Sequence, residues 1–305
     1  MHRIVIGTRG SLLARWQAAH VAQALRAAHG GLEIEEKIIV TEGDRLTTGR
    51  LWSAGGKGVW VKEIEAALLA REIDVAVHSL KDVPGELAAG LALVAVPARA
   101  DVRDAVVSRA GCGLDGLPRS ARVGTTSLRR ACQIKALRPD LAIEILRGNL
   151  DTRLRKVADG VVDAAILACA GLDRLGFAER IAERLPIERM LPAVGQGALA
   201  IEARADDERV RGICQVLDDA QTATAVTAER AFLARLGATC RTPVAGYACV
   251  ESGALTILGL VGRPDGTEII ADRASGNAGD AAELGLALAD ALLQRGAGEI
   301  LSASV

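Results

Sequence analysis

Aromatic residues make up only 2% of this 305-residue chain: three Trp, two Phe and one Tyr. So few rings argue against a platform that stacks bases along a single nucleic-acid strand. Lysine is scarce too, at six of the 37 basic residues, and 38 acidic residues bring the net charge to −1. No basic excess is left over for a phosphate backbone, so positive charge matters only where it clusters. No apolar run is long enough to span a bilayer, and Met1-His2-Arg3-Ile4-Val5-Ile6-Gly7 reads as a strand, without the charged-then-apolar layout of a signal peptide. The six cysteines, at 112, 132, 169, 214, 240 and 249, form no Cys-x-x-Cys pair and have no histidine at zinc-ligand spacing. No metal site is expected, and six thiols in a reducing cytoplasm fit better than three disulfides.

What is present is an ordinary globular composition, 50% hydrophobic and 25% charged, with length for two or three cores. Short β-type runs (Ile4 to Ile6, Ile34 to Val40, Ile73 to Val77, Leu91 to Val96, Ala105 to Val107, Ala142 to Leu146, Ala164 to Leu167) alternate with helical periods. The helices are read at Ser11 to Ala28, Val61 to Arg71, Ser127 to Leu137 and Asp151 to Ala158. That alternation predicts parallel α/β sheets, with ligands at the junctions where strands end and helices begin. Linkers are expected at Pro97 to Asp101 and at Leu191 to Gly197. Beyond Asp218 an alanine-rich helix from Thr222 to Leu236, stopped by Gly237, precedes strands at Ala254 to Val261 and Glu268 to Ala271 and a helix from Asp280 to Gln294. This reads as a small α+β C-terminal domain.

Chemistry concentrates at the junctions. Arg9 and Ser11 follow the first strand. In Arg122-Val123-Gly124-Thr125-Thr126-Ser127-Leu128-Arg129-Arg130 a strand runs into hydroxyls, a helix start and two arginines, the components of an anion site. The pattern recurs at Ile145-Leu146-Arg147-Gly148-Asn149, with Arg153 in the next helix. Two such junctions point to one polyanionic ligand, although one alone reads first as a capped helix with solvated arginines. Gly55-Gly56-Lys57-Gly58 fails as a phosphate loop, because Leu51 and Gly58 stand where a Walker motif needs Gly and Ser or Thr. In His78-Ser79-Leu80-Lys81-Asp82-Val83-Pro84 a buried-type strand delivers a polar cluster; Asp82 is the candidate carboxylate and His78 a satisfied histidine. Cys240 lies on a loop between the helix stop Gly237 and Pro243, where a thiol can be exposed, although a loop cysteine taken alone reads first as an unused thiol.

Taken together, these motifs resemble the porphobilinogen deaminase (hydroxymethylbilane synthase) family over nearly the whole chain. The resemblance is carried by the segments Gly7 to Gln17, Gly55 to Gly58, Val77 to Pro84, Val123 to Arg130, Leu146 to Asn149 and Leu191 to Gly197, and by the Cys240 loop. It implies an α/β fold: two periplasmic-binding-protein-like α/β domains flanking a cleft, plus a small α+β C-terminal domain. The implied domains are 1–97 plus 196–217, 98–195 and 218–305, the first taking back the strand after Gln196. It implies a cytoplasmic transferase of tetrapyrrole biosynthesis that joins four porphobilinogens head to tail, releasing ammonia, to give hydroxymethylbilane. A dipyrromethane cofactor would be a thioether on Cys240, held by Ser79, Lys81, Thr125, Ser127, Arg129, Arg130, Gly148 and Arg153. Substrate would meet Arg9, Ser11, Gln17, Arg147, Arg174 and Gln196, with Asp82 catalytic. Each pyrrole carries an acetate and a propionate, which explains the guanidinium forks. The resemblance implies no nucleic-acid or membrane partner, and nothing in the sequence demands more than a monomer. Trp60 stands where the family usually has Phe, and Ala238-Thr239 where it often has Gly-Gly. The rival reading is a non-catalytic anion-binding protein, which has no need of Asp82 beside a thiol anchor.

Overall fold

The structure is a computed structural model, and it describes residues 3–45, 60–239 and 242–303. The chain divides into two compact units, Met1–Arg99 with Ala198–Ala223, and Ala100–Gly197 with Thr224–Val305. Apart from residues 98–99 and 218–223, which group with the first unit, the expected middle and C-terminal domains fall within the second unit, each with its own sheet.

The first unit holds β1 (Arg3–Thr8), α1 (Leu12–Ala28), β2 (Glu33–Ile38), α2 (Glu42–Arg45), α3 (Lys62–Leu69), β3 (Val75–Ser79) and β4 (Leu91–Ala95). The second unit begins with β5 (Asp104–Ser108), β6 (Arg122–Gly124), α4 (Leu128–Leu137), β7 (Ala142–Glu144), α5 (Leu150–Ala158), β8 (Ala164–Ala168), α6 (Cys169–Arg174) and β9 (Glu183–Arg184). The chain then returns to the first unit for β10 (Leu199–Arg204) and α7 (Glu208–Cys214), and α8 (Ala220–Arg235) leads back to the second. There β11 (Val244–Glu251), β12 (Ala254–Gly262), β13 (Ile269–Asn277), α9 (Ala281–Gln294) and α10 (Ala297–Ser302) complete the chain.

The two five-stranded sheets share one layout, β2-β1-β3-β10-β4 and β7-β6-β8-β5-β9. In each the first three strands are parallel and the fourth is reversed. The expectation of parallel α/β sheets holds for those three strands, and the reversed fourth makes each sheet mixed. The physical reason is the double crossing: β5 is the first strand after the chain leaves the first unit and β10 the first after it returns, and each arrives running against its neighbours. Neither a parallel βαβ crossover nor its helix is required there, because the strand comes from outside the unit.

Periodicity and caps explain the helices that position the site. α1 buries Ala14, Gln17, Ala18, Val21, Ala22 and Leu25, the i, i+3, i+4 stripe, against Ile4, Ile6, Val75 and Ile201 of the sheet. Ser11 caps it, its side chain accepting from the Ala14 amide at 3.2 Å. Ser127 caps α4 in the same way through the Arg130 amide at 3.4 Å. In the C-terminal region α8 and α9 cover the antiparallel sheet β11-β12-β13 around a fully buried Phe232. Space for that ring comes from Gly246 and Gly259, where an added Cβ would lie 3.2 and 2.7 Å from it. The reading from periodicity did not find α2, β9, β10, β11, α6, α7 or α10; the strand after Gln196 came from the resemblance alone.

Candidate active site

In the first unit the parallel strands β1 and β3 are neighbours, so their C-terminal ends share one sheet edge. From β1 come Arg9 and Ser11; from β3 come Ser79 and a 3₁₀ turn, Leu80–Asp82, carrying Lys81 and Asp82. Gln17, buried on α1, ties the two ends together by donating to Ser79 Oγ at 2.8 Å. The turn is fixed at its start by the Leu80 amide on Ala198 O (3.1 Å) and closed by the Val83 amide on Leu80 O (3.0 Å). The half-buried Asp82 carboxylate accepts no hydrogen bond and makes no ion pair among the described residues. His78 is buried and spent, 3.0 Å from the buried carboxylate of Glu202, as expected of a satisfied histidine.

Arg9 does not simply face solvent. Its Nε and Nη2 engage Asp44, and its guanidinium lies over the Trp60 ring at 4.1 Å. Burial pushes the Asp44 carboxyl up, but the Arg9 bonds and charge and the Thr41 hydrogen bonds outweigh it, and the net shift is downward.

In the second unit β6 ends at Gly124, and Thr125 and Ser127 open α4. Thr125 Oγ1 accepts from the Ser127 amide at 3.1 Å. Arg129 and Arg130, read from sequence as ligand contacts, turn inward to a fully buried Asp104: Arg129 Nη1 at 2.7 Å, Arg130 Nε at 3.1 Å and Nη2 at 2.7 Å. Arg130 Nη1 donates to Ile166 O, so this guanidinium is largely consumed within the protein. Gln196 joins the same carboxylate at 3.0 Å. Burial alone would raise the Asp104 carboxyl pKa, yet the two guanidinium charges and their bonds hold it far below the usual range. Asp104 is the residue sequence reasoning missed; its only signal is a carboxylate opening the apolar run Asp104 to Val107.

Arg147 lies in the loop between β7 and α5, and its Nη1 is buried with no partner among the described residues. Arg129 Nε is likewise buried and unpaired. Gly148 follows with φ 114°, a conformation suited to glycine, and its carbonyl accepts Arg153 Nε at 2.8 Å. Arg174 donates to Gly197 O at 2.8 Å, and desolvation lowers its pKa. Thus Arg9, Ser11, Gln17, Ser79, Lys81 and Asp82 belong to one unit and Thr125, Ser127, Arg129, Arg130, Arg147, Gly148, Arg153, Arg174 and Gln196 to the other. Cys240 and the Gly55 to Gly58 loop lie outside the described residues. Beside Cys240, the Thr239 amide donates to Thr242 Oγ1 at 3.0 Å and Thr242 Oγ1 to Thr239 O at 2.7 Å. No helix among the described residues is long and apolar enough to cross a membrane.

Fold and donor groups define a class: α/β proteins with two sheets of one layout, arginines and hydroxyls clustered where parallel strands end. A family model described as porphobilinogen deaminase, dipyromethane cofactor binding domain, matches residues 4–212, and one described as the porphobilinogen deaminase C-terminal domain matches residues 223–294. The chain belongs to the porphobilinogen deaminase family. It is 50% identical to porphobilinogen deaminase of Brevibacillus brevis, over 97% of this chain and 96% of that one. It is 48% identical to that of Geobacter metallireducens, over 97% and 93%. Among solved structures it is similar to the BvgS periplasmic domain of B. pertussis, with 17% identity and TM-score 0.42 over 70% of this chain and 39% of that one. It is also similar to a Salmonella typhimurium periplasmic binding protein of high arginine specificity, with 12% identity and TM-score 0.42 over 71% and 92%.

Proposed function

We propose that this chain condenses four porphobilinogens head to tail into hydroxymethylbilane, releasing ammonia, on a covalently held dipyrromethane primer, as a monomeric transferase of tetrapyrrole biosynthesis in the cytoplasm. The observation that carries the reading is Asp82: a carboxylate in a fixed turn at a strand end, beside the Gln17–Ser79 bond, without an internal partner among the described residues. Loss of ammonia leaves an electron-poor pyrrole, and a preorganised carboxylate stabilises such a cation and its N–H groups. The same group protonates the departing amine and takes up the final ring proton.

The residues present fit an acidic primer. Arg129 Nε and Arg147 Nη1 are buried N–H groups without a protein acceptor among the described residues, a costly arrangement that a ligand carboxylate relieves. When bound, the dipyrromethane supplies the nucleophilic pyrrole end to which each new ring adds. On this reading Cys240 anchors it by a thioether, and Ser79, Lys81, Thr125, Ser127, Arg129, Arg153 and the Gly148 backbone bind its acidic side chains. Arg130 acts through Asp104, holding the start of α4 in place. Arg9, Ser11, Gln17, Arg147, Arg174 and Gln196 serve the incoming monomer and the growing chain, Gln196 through its bond to Asp104. The proposed domains are 1–97 with 196–217, 98–195 and 218–305.

The test is uptake. Purified protein titrated with porphobilinogen should gain whole pyrrole units on the polypeptide by intact mass, and a short oligonucleotide should not bind. A protein that never consumes the monomer removes the reading.

A further inference from the structure

We propose that Asp44 and Trp60 are positioning residues for Arg9, holding its guanidinium so that one bidentate edge stays open to a ligand carboxylate. The proposal rests on the reading of Arg9 as a substrate contact and names what presents it.

An arginine offers two forked edges, Nε with Nη2 and Nη1 with Nη2, and its five N–H groups allow both to be used at once. Asp44 takes the first edge only: Nε lies 3.2 and 3.3 Å from its two oxygens and Nη2 lies 2.5 Å from Oδ1. Trp60 covers a face of the guanidinium, its ring centroid 4.1 Å from Cζ. No acceptor among the described residues meets Nη1, so the Nη1–Nη2 edge is the one left over. A competitor for the ligand would block that edge; Asp44 leaves it clear.

The holding groups are themselves held. Asp44 Oδ2 accepts from the Thr41 amide at 3.2 Å and from its hydroxyl at 2.9 Å, and Thr41 is fully buried. The Glu42 amide donates to Glu63 on α3 at 2.7 Å. Trp60 lies so close on Gly43 that an added Cβ there would sit 2.2 Å from the ring. The Arg9 side chain, only 18% exposed, is thereby confined before any ligand arrives.

The experiment uses the full chain carrying its cofactor. Asp44→Asn, Trp60→Leu and Trp60→Phe are compared with the unsubstituted protein for the porphobilinogen concentration that half-saturates uptake, read by intact mass, and for KM and kcat. Freeing one long side chain predicts a rise of about 3- to 10-fold in half-saturation for Asp44→Asn and Trp60→Leu. Here kcat should change less than about twofold, with Trp60→Phe restoring most of the loss because it keeps a ring. In an Arg9→Lys background, which has no forked edge, the same substitutions should add nothing. If the unsubstituted protein takes up no porphobilinogen, the functional reading fails. If it does, and half-saturation is unchanged in both Asp44→Asn and Trp60→Leu, or rises equally in the Arg9→Lys background, this inference alone is overturned.

Discussion

Asp82 and Asp104 show how environment divides the work of two identical side chains. Asp104 is sealed between Arg129, Arg130 and Gln196, while Asp82 stands half-buried with no protein partner among the described residues. Removing the Asp82 charge without changing its shape should therefore spare folding and cofactor loading. Asp82→Asn is expected to lower kcat by at least about 100-fold, the low end of what positioned acid–base groups contribute. Steady-state kinetics with an intact-mass check of loading measures this. Asp104 behaves oppositely. Its native pKa is depressed below the unfolded value, so its stabilisation is complete above about pH 4, where the unfolded carboxyl is ionised, and declines as pH falls from there towards the native value. Asp104→Asn strands two buried guanidinium groups and should cost about 3–5 kcal/mol at neutral pH. In acid titrations followed by circular dichroism, the gap between variant and parent should narrow below about pH 4.

The cysteines separate on the same grounds. Burial pushes the Cys132 and Cys169 thiols up to about 11 and Cys214 up to about 12. All three should resist iodoacetamide at pH 8 in the native protein, leaving the half-buried Cys112 and Cys249 as the labelled sites if Cys240 is the attachment proposed above. Peptide mapping before and after denaturation reads this directly.

Among the elements, α8 and α9 pack closely because Gly285 has no side chain. A Cβ there would lie 2.2 Å from the Ala228 carbonyl oxygen, a backbone atom that cannot rotate away. Gly285→Ala should destabilise the second unit by about 1–3 kcal/mol as an overpacked contact. Phe232→Ala, emptying the same core, should cost about 3–5 kcal/mol. Thermal melts of both variants give the comparison, and a neutral result at Gly285 would refute the contact. This core also seats the linker: buried Glu229 on α8 accepts the Gly195 amide at 2.6 Å and the Ala248 amide at 2.8 Å. The junction helices were legible beforehand because their signals are local. Ser11 and Ser127 each stand immediately before a helix and cap it through an amide three residues on.

Expressed with its precursor available, the protein should exceed its polypeptide mass by two linked pyrroles, and Cys240→Ala should show no such excess. The same added mass in that variant would move the attachment elsewhere. Light scattering should return the mass of one chain. The reversed strands β5 and β10 bear on this scale as well, since each completes its unit only by leaving the other. No periodicity announces that exchange: a strand's apolar pattern specifies burial but carries no sign for its direction.

Helix caps, strand ends and the clustering of arginine with hydroxyl groups depend on residues within a few positions of one another, and could be read in order along the chain. The resemblance to the porphobilinogen deaminase family was carried by such short motifs, and the polar cluster at the end of β3 made Asp82 the candidate carboxylate. Only the folded chain decided which arginines have donors to offer. Arg130 is spent on an aspartate 26 positions away, and Arg9 is turned by one 35 positions away. Partners that far apart meet through sheet order and packing, and burial in a low-dielectric interior then makes an internal carboxylate a strong partner for the charges it meets.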